Sequence, residues 1–168
     1  MFIDISAVLG KKGEQIDFSI TENIEKDKDY KSITAFDGPV SIKGVATNVD
    51  GAIKVEADGT LNIIMACDRC VANVKEEIDF FLEEVYVASG NAQEGDESYQ
   101  GSSIDLAGAV KKSILSSLPM KVLCNEDCKG LCPQCGKDLN TGECGCKTEH
   151  IDPRFESLRS LFKVDKEV

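Results

Sequence analysis

The sequence contains one histidine, fewer positive than negative charges and no long hydrophobic run, and each of these features argues against a class of function. No apolar segment approaches the roughly 20 residues that a transmembrane helix needs. The opening "MFIDISAVLGKKGEQ" lacks a basic stretch followed by an apolar one, so we expect neither a secretory signal nor a membrane partner. We therefore expect a cytoplasmic protein, whose thiols would stay reduced.

Motifs of catalysis are also missing from the sequence. No nucleophile lies near a histidine motif, no glycine-rich loop could cradle a phosphate, and no His-Glu-x-x-His pattern occurs. A catalytic zinc site keeps an open position and usually includes a histidine ligand, and His150 is the only histidine here. We expect no enzymatic activity and no small-molecule substrate.

The net charge of −11 is unevenly distributed along the chain. Residues 1–120 carry 11 Lys and Arg against 21 Asp and Glu, whereas residues 121–168 carry 8 against 9. An acidic surface repels phosphate groups, which disfavours broad binding of nucleic acid. Any contact with RNA is therefore expected in the near-neutral C-terminal third.

Alternating hydrophobic residues in the first half of the chain predict β-strands. The segments with this pattern are "QIDFSI", "PVSIKGVA", "AIKVEA", "TLNIIMA" and "NVKEEIDFFLEEVYV". Asp-Gly pairs at 37–38, 50–51 and 58–59 are each a plausible turn between strands. The pattern predicts an α+β protein with an antiparallel, β-rich domain, a sandwich or partial barrel, over residues 1–88.

Three further segments are predicted after the β-domain. The acidic, Gly- and Ser-rich residues 89–103 suggest a flexible linker, and residues 104–119 suggest a helix that packs on the sheet. Ser102 or Ser103 could cap that helix, and Pro119 would end it. Residues 120–168 combine a Cys-rich metal-binding segment, similar to a zinc ribbon, with a C-terminal helix that begins at the "DP" of 152–153. The basic side chains of this last helix are either a solvated face or contacts to RNA: Arg154, Arg159 and Lys163.

Six of the eight cysteines lie within residues 124–146. Cys144 and Cys146 flank a single glycine, so a disulfide between them would be strained. The fragment "CPQCG" at Cys132 and Cys135 fits either a redox pair or half of a zinc site, but no βαβ pattern accompanies it. Because the segment has few large apolar side chains, a metal would substitute for a core. We predict structural Zn²⁺, with redox disulfides or an iron–sulfur centre as alternatives.

The spacing leaves the ligand set partly open. We predict that one compact loop supplies the four thiolates: Cys132, Cys135, Cys144 and Cys146. Cys124 and Cys128 are the competing pair, His150 is a distant substitute, and all six thiolates could surround more than one ion. Cys67 and Cys70 form a separate pair in "MACDRCVA", at a predicted turn between two strands. This second pair could join the C-terminal cluster, act as a redox pair or remain as reduced thiols.

The Cys-rich segment resembles a known family. The stretch "LPMKVLCNEDCKGLCPQCGKDLNTGECGC", followed by "DPRFESLRSL", is similar to the C-terminal signature of the bacterial YceD family. The "CDRC" turn and the "IDLAGAVKKSILSSLPM" helix follow the family order, so the similarity covers about residues 60–162. The resemblance implies a non-enzymatic role in the accumulation and maturation of large-subunit (23S) ribosomal RNA. Some relatives lack the C-terminal cysteines, which leaves open whether the metal serves function or only stabilises this segment.

Three functional hypotheses follow from these observations. The leading one is a ribosome-assembly factor whose acidic domain contacts a basic ribosomal protein, while the Cys-rich segment and last helix contact large-subunit RNA or a precursor particle. The alternative is a redox-switched zinc-thiolate protein with a chaperone-like or sensor role. The third is an interaction module whose zinc only shapes a protein-binding surface.

Overall fold

The computed structural model describes residues 1–26 and 28–146. The strand-rich α+β class is confirmed, with Cys clusters near the C-terminal end of this part. The elements are β1 (Phe2–Asp4), β2 (Gln15–Glu22), β3 (Ile33–Phe36), β4 (Val40–Val49), β5 (Ala52–Ala66), β6 (Asn73–Ala88), β7 (Glu97–Tyr99), β8 (Ser103–Asp105) and α1 (Ala107–Ser117). His150 and the predicted C-terminal helix, with its three basic residues, lie outside the described residues. Among the residues described, no helix has the length and apolar character needed to cross a membrane.

The strands form two open sheets. The larger sheet has the order β2-β4-β5-β6-β7, and β3 pairs with β5 beyond the end of β4. The smaller sheet consists of β1 and β8. All pairings are antiparallel, as predicted, except that β7 runs parallel to β6. The long β5–β6 hairpin, whose register runs from the Ile53–Tyr86 pair to the Ala66–Asn73 pair, is the centre of the fold.

The hydrophobic core lies on one face of the larger sheet because buried and exposed residues alternate along β5. Ile53 and Ile63 on this strand are fully buried. Helix α1 packs against β6 and contributes Val110 and Ile114 to the same core. Ile104 of the small sheet joins the core as well. The β-domain therefore has a substantial core that includes no cysteine.

The predicted Asp-Gly turns have different outcomes. Residues 50–51 form the two-residue turn between β4 and β5, with φ values of 54° and 94° that suit a tight hairpin. Residues 37–38 lie between β3 and β4, as predicted. The prediction for residues 58–59 was wrong, because β5 continues through them and pairs with β4 and β6. A Cβ at Gly59 would overlap the Phe80 ring, so close packing and not a turn accounts for this glycine.

The segment predicted as a flexible linker, residues 89–103, contains β7 and the start of β8. Tyr99 in β7 is only 8% exposed and packs into the main core. Its carbonyl oxygen accepts hydrogen bonds from both the N–H and the hydroxyl of Ser89, at 3.0 Å and 2.7 Å. One buried aromatic residue and the pairing with β6 thus order a segment whose composition is acidic and polar.

The helix that follows is shorter than the predicted residues 104–119. It begins at Ala107, and the carboxylate of Asp105 accepts a hydrogen bond from the Ala107 N–H at 2.9 Å. Neither Ser102 nor Ser103 occupies the N-cap position, because the chain is still in and beside β8 there. The helix ends at Ser117, just before Pro119, as the sequence predicts.

Candidate metal centres

The structure brings the eight cysteines together in two groups of four, and within each group all sulfur atoms lie within 4.8 Å of one another. The loop cluster consists of Cys132, Cys135, Cys144 and Cys146. The bridging cluster consists of Cys67, Cys70, Cys124 and Cys128. All eight side chains are free thiols. The four residues predicted from sequence as one ligand set thus lie together, and the two remaining pairs form a set of their own.

In the loop cluster, the "CPQCG" fragment forms a tight turn that presents two thiols to one point. The Cys132 N–H donates to the Lys137 carbonyl, and the Gly136 N–H donates to the Cys132 carbonyl, both at 2.8 Å. Gly136 has a φ of 73°, in the left-handed region that favours glycine. Backbone N–H groups of Cys135 and Gln134 donate to the Cys132 sulfur and lower the pKa of this thiol to about 6. The turn therefore favours the thiolate, which is the form that binds metals.

The bridging cluster is built from two distant parts of the chain. Cys67 follows β5 and Cys70 lies in the turn to β6, whereas Cys124 and Cys128 come after α1. The Cys67 and Cys128 sulfur atoms are 3.8 Å apart, and those of Cys70 and Cys124 are 3.5 Å apart. In a tetrahedral site with Zn–S bonds of about 2.3 Å, neighbouring sulfur atoms lie roughly 3.8 Å apart. The spacing fits one tetrahedrally coordinated ion.

The "CDRC" turn repeats the backbone geometry of "CPQCG". The Cys67 N–H donates to the Ala72 carbonyl at 2.8 Å, and the Val71 N–H donates to the Cys67 carbonyl at 2.9 Å. Val71, which follows the second cysteine as Gly136 does, has a φ of 62°. A β-branched residue is a clear outlier in this left-handed region. The two Cys-x-x-Cys turns therefore have matching hydrogen bonds despite different residues at the strained position.

The thiols of the bridging cluster influence one another's ionisation. Burial opposes ionisation of Cys67, but hydrogen bonds from the N–H groups of Cys70, Arg69 and Cys124 outweigh it and lower its pKa to about 6. The neighbouring side chains of Cys128 and Cys70 raise the pKa of Cys124 to about 12. Like charges this close cannot all form without a counter-charge. Four thiolates in this geometry would require a cation.

The two residues between Cys67 and Cys70 also connect the two segments. The Asp68 N–H donates to the Val122 carbonyl at 2.9 Å, and the Val122 N–H donates to an Asp68 carboxylate oxygen at 2.7 Å. The guanidinium of Arg69 donates to the Cys128 carbonyl at 2.7 Å. Sequence reasoning did not assign these roles to Asp68 and Arg69. Their position inside the "CDRC" turn was the available signal.

Gly130 lies where the Cys-rich segment crosses the "CDRC" turn. The Leu131 N–H donates to the Arg69 carbonyl at 3.1 Å, which places the backbone of Gly130 against this turn. A Cβ at Gly130 would lie 2.9 Å from the Arg69 carbonyl oxygen, and its φ is 75°. Both the close approach and the left-handed conformation thus favour glycine here.

Asn140 connects the two clusters. It lies in the loop cluster's sequence, between Cys135 and Cys144, yet its side-chain nitrogen donates to the sulfur of Cys128 at 3.4 Å. Its side-chain oxygen accepts a hydrogen bond from the Lys129 N–H at 2.8 Å. Groups that hold a ligand atom from outside the coordination sphere tune and orient it. Sequence reasoning missed this residue, since a loop asparagine carries no specific signal.

The sequence matches one family model and several curated proteins. Residues 53–162 match the model of the family described as "Large ribosomal RNA subunit accumulation protein YceD". The chain is 27% identical over 133 residues to the protein YlbN of Bacillus subtilis, which covers 77% of each chain. An uncharacterized protein of Mycobacterium tuberculosis is 35% identical over 102 residues, or 57% of this chain and 49% of its own length.

A plant relative carries a more explicit name. The chloroplastic "Large ribosomal RNA subunit accumulation protein YCED homolog 1" of Zea mays is 34% identical over 61 residues, which is 36% of this chain and 20% of the maize protein. The chain therefore spans about half of the mycobacterial relative and a fifth of the maize one. No solved structure matches. The family match includes both Cys clusters and, apart from its first residue, the β5–β6 hairpin. The chain belongs to the YceD family.

Proposed function

We propose that this protein is a non-enzymatic factor that supports the accumulation and maturation of large-subunit (23S) ribosomal RNA during ribosome assembly. The observation that carries this proposal is the family match over residues 53–162. Two plant relatives, from Zea mays and Arabidopsis thaliana, bear the ribosomal RNA name. Work on ribosomal RNA in a bacterium takes place in the cytoplasm, where the eight thiols would stay reduced.

The loop cluster is proposed to hold one structural zinc ion. Its four sulfur atoms lie within 4.8 Å of one another, and sulfur-only sets of four favour zinc or iron. Four thiolates would fill a tetrahedral coordination sphere and leave no position for water or substrate. This donor set supports a structural role for the ion and a non-enzymatic role for the protein.

The outer face of the larger sheet supports a basic protein as one partner. Its acidic residues, which alternate with the core residues of β2, β5 and β6, are Asp17, Glu56, Asp58, Glu77, Asp79 and Glu83. Lys54 on the same face is paired with Glu56 and Glu83 at 2.9 Å each, so part of its positive charge is locally balanced. Phe81 and Val85 are exposed among these acids, by 54% and 50%. Lys43 and Lys75 also lie on this face, so its six acids stand against three lysines. A face with an acidic excess and exposed apolar groups suits a cationic segment of a ribosomal protein.

The RNA-binding role is proposed for the near-neutral C-terminal third. Within residues 121–168, we expect three basic side chains to contact phosphate: Arg154, Arg159 and Lys163. Contacts of this kind weaken as salt rises, because bound phosphate charges release counterions. The proposal thus makes binding to precursor particles sensitive to salt.

The test is co-sedimentation of the purified zinc-loaded protein with large-subunit precursor particles. We expect co-sedimentation at low salt, progressive loss at higher salt, and weaker binding when the three basic residues are replaced by alanine. A control replaces Lys11 and Lys12, two exposed residues in the loop before β2 that are distant in sequence from the three basic residues. Failure to co-sediment with any precursor particle would contradict the proposal.

A redox-switched zinc-thiolate protein is the second candidate function. The exposure of Cys124 and Cys135 favours it, because oxidants reach accessible thiolates first. Mild peroxide should then release zinc and at the same moment produce activity that suppresses the aggregation of a client protein. Zinc release without such activity would leave the ribosomal proposal as the only one supported.

A further inference from the structure

We infer that the bridging cluster is a second metal site, in which four thiolates bind Zn²⁺ and fasten the Cys-rich segment to the tip of the β5–β6 hairpin. The ligands are Cys67, Cys70, Cys124 and Cys128. The site lies outside the ligand set predicted from sequence and does not depend on the ribosomal role. It makes the ion a connection between two parts of the chain, whereas the loop cluster closes on itself.

The first argument is the equivalence of the two Cys-x-x-Cys turns. In each turn the first cysteine's N–H donates to the carbonyl five residues ahead, and its carbonyl accepts from the N–H four residues ahead, at 2.8–2.9 Å. This arrangement points both thiols of a pair to one side. Since the "CPQCG" turn provides half of a four-thiol set, the "CDRC" turn is built to do the same.

The strained backbone of Val71 is the second argument. A β-branched residue avoids a φ of 62°, and such strain persists only where the surroundings impose it. An ordinary hairpin would accommodate a glycine or asparagine at this position. Coordination of Cys67 and Cys70 by one ion would fix the turn and impose this conformation on the residue that follows.

The third argument is that the thiols at the junction have little apolar packing around them. Its buried residues are Cys67, Cys70 and Cys128, which form a small cluster separate from the main core. Within residues 1–26 and 28–146, Val74 and Leu123 are the only partly buried hydrophobic residues that pack against it. A contact of this size offers little hydrophobic stabilisation. An ion with four strong bonds would supply what the apolar contact lacks.

The polar contacts around the cluster show what the ion would hold in place. The Asp68–Val122 hydrogen bonds and the Arg69–Cys128 hydrogen bond connect the same two segments that the ion would join. Asn140 adds a link from the loop cluster to the Cys128 sulfur. The two ions would therefore have different roles. One would organise the loop, and the other would attach the organised loop to the sheet.

Metal stoichiometry of the full chain is the first test. Native mass spectrometry of protein purified under reducing conditions should find two zinc ions per chain. The double variant Cys67→Ser/Cys124→Ser, which removes one ligand from each segment, should retain one ion. The matched control Cys132→Ser/Cys144→Ser should also retain one ion, and the combination of all four substitutions none. One zinc in the wild-type protein, unchanged in the first variant, would overturn the inference, and iron at the site would overturn the assignment of zinc.

The fastening role is tested by amide hydrogen exchange on the same proteins. In Cys67→Ser/Cys124→Ser, the N–H groups of Asp68 and Val122 should exchange roughly tenfold faster or more, while amides of the β5–β6 pairing remain protected. The control variant should leave these two amides closer to wild-type protection. Unchanged protection of both amides after loss of the ion would contradict the fastening role.

A measurement on the wild-type chain covers the case in which the variant fails to fold. Titration with a chelator should release two equivalents of zinc, and Asp68 and Val122 should lose protection in step with one of them. Release of a single equivalent would overturn the second site. Retention of protection at both amides after two equivalents leave would overturn the fastening role.

Discussion

Val71 and Gly136 occupy the same place in two equivalent turns, and both adopt a left-handed conformation, with φ values of 62° and 73°. The glycine after "CPQC" signals a tight turn, so the loop cluster could be predicted from spacing alone. The valine after "CDRC" gives no such signal, because β-branched residues avoid the left-handed region. The partners of Cys67 and Cys70 lie more than 50 residues away in sequence, and only the folded hairpin brings them together.

Substitution of each of these two residues gives a prediction at the residue scale. Val71→Gly should raise the free energy of unfolding by about 0.5–1 kcal/mol, because relief of the left-handed strain exceeds the extra entropy of glycine in the unfolded chain. Gly136→Val should lower it by about 1–2 kcal/mol for the converse reason. Urea unfolding at saturating zinc measures both changes. A destabilising Val71→Gly would show that the turn is not strained.

Asn140 offers a second prediction at this scale. Asn140→Ala removes the hydrogen bond to the Cys128 sulfur and the one from the Lys129 N–H. Loss of such an outer contact should lower the zinc affinity of the bridging cluster by about tenfold or more, although all four cysteine ligands remain. Competition with a chromophoric chelator measures the affinity. Asn62→Ala, at an exposed position on β5, is the control and should leave both affinities unchanged.

At the scale of elements, the sequence predicted the strand-rich class and most of the strands, but not their continuity. The Asp58–Gly59 pair suggested a turn, yet β5 has neighbours on both sides over this stretch and remains extended. The acidic composition of residues 89–103 suggested a linker, yet the burial of Tyr99 and the pairing of β7 with β6 order part of it. In both places tertiary pairing overrode a local signal.

Gly59 and Phe80 give a prediction for the central hairpin. Gly59→Ala should destabilise the protein by about 1–3 kcal/mol, since the new Cβ would overlap the buried aromatic ring. Phe80→Leu should reduce this penalty when the two changes are combined, as a double-mutant cycle would show. Gly108→Ala, in α1 with open space at its Cβ position, is the control and should be neutral or stabilising. Additive effects of Gly59→Ala and Phe80→Leu would contradict the proposed packing.

At the scale of the whole molecule, two parts with different sources of stability are joined. The β-domain buries a core without cysteine, whereas the buried side chains among residues 120–146 are Val122 and two cluster thiols, Cys128 and Cys132. The uneven charge follows a similar division, with the acidic excess in residues 1–120. The proposed partners divide accordingly, a cationic protein segment for the sheet face and RNA for the C-terminal third.

The acidic face provides the prediction at this scale. Asp58→Asn, Asp79→Asn and Glu83→Gln together remove three negative charges beside Phe81 without changing side-chain size. The association rate with a basic ribosomal protein should fall by roughly tenfold at low salt. At high salt, the rates of the variant and the wild-type protein should differ less. The association rate measured at several salt concentrations checks this. Glu94→Gln and Asp96→Asn, in the turn before β7, serve as the control, and an equal effect of the control would contradict a specific face.

The most direct test of the account is the ratio of large-subunit to small-subunit ribosomal RNA in cells that lack this protein. The account predicts a lower ratio, restored by the wild-type chain and restored only in part by Cys67→Ser/Cys124→Ser, whose sheet remains folded while the Cys-rich segment is released. A ratio unchanged by loss of the protein, under conditions in which the wild-type chain is expressed, would contradict the proposed role in ribosomal RNA accumulation.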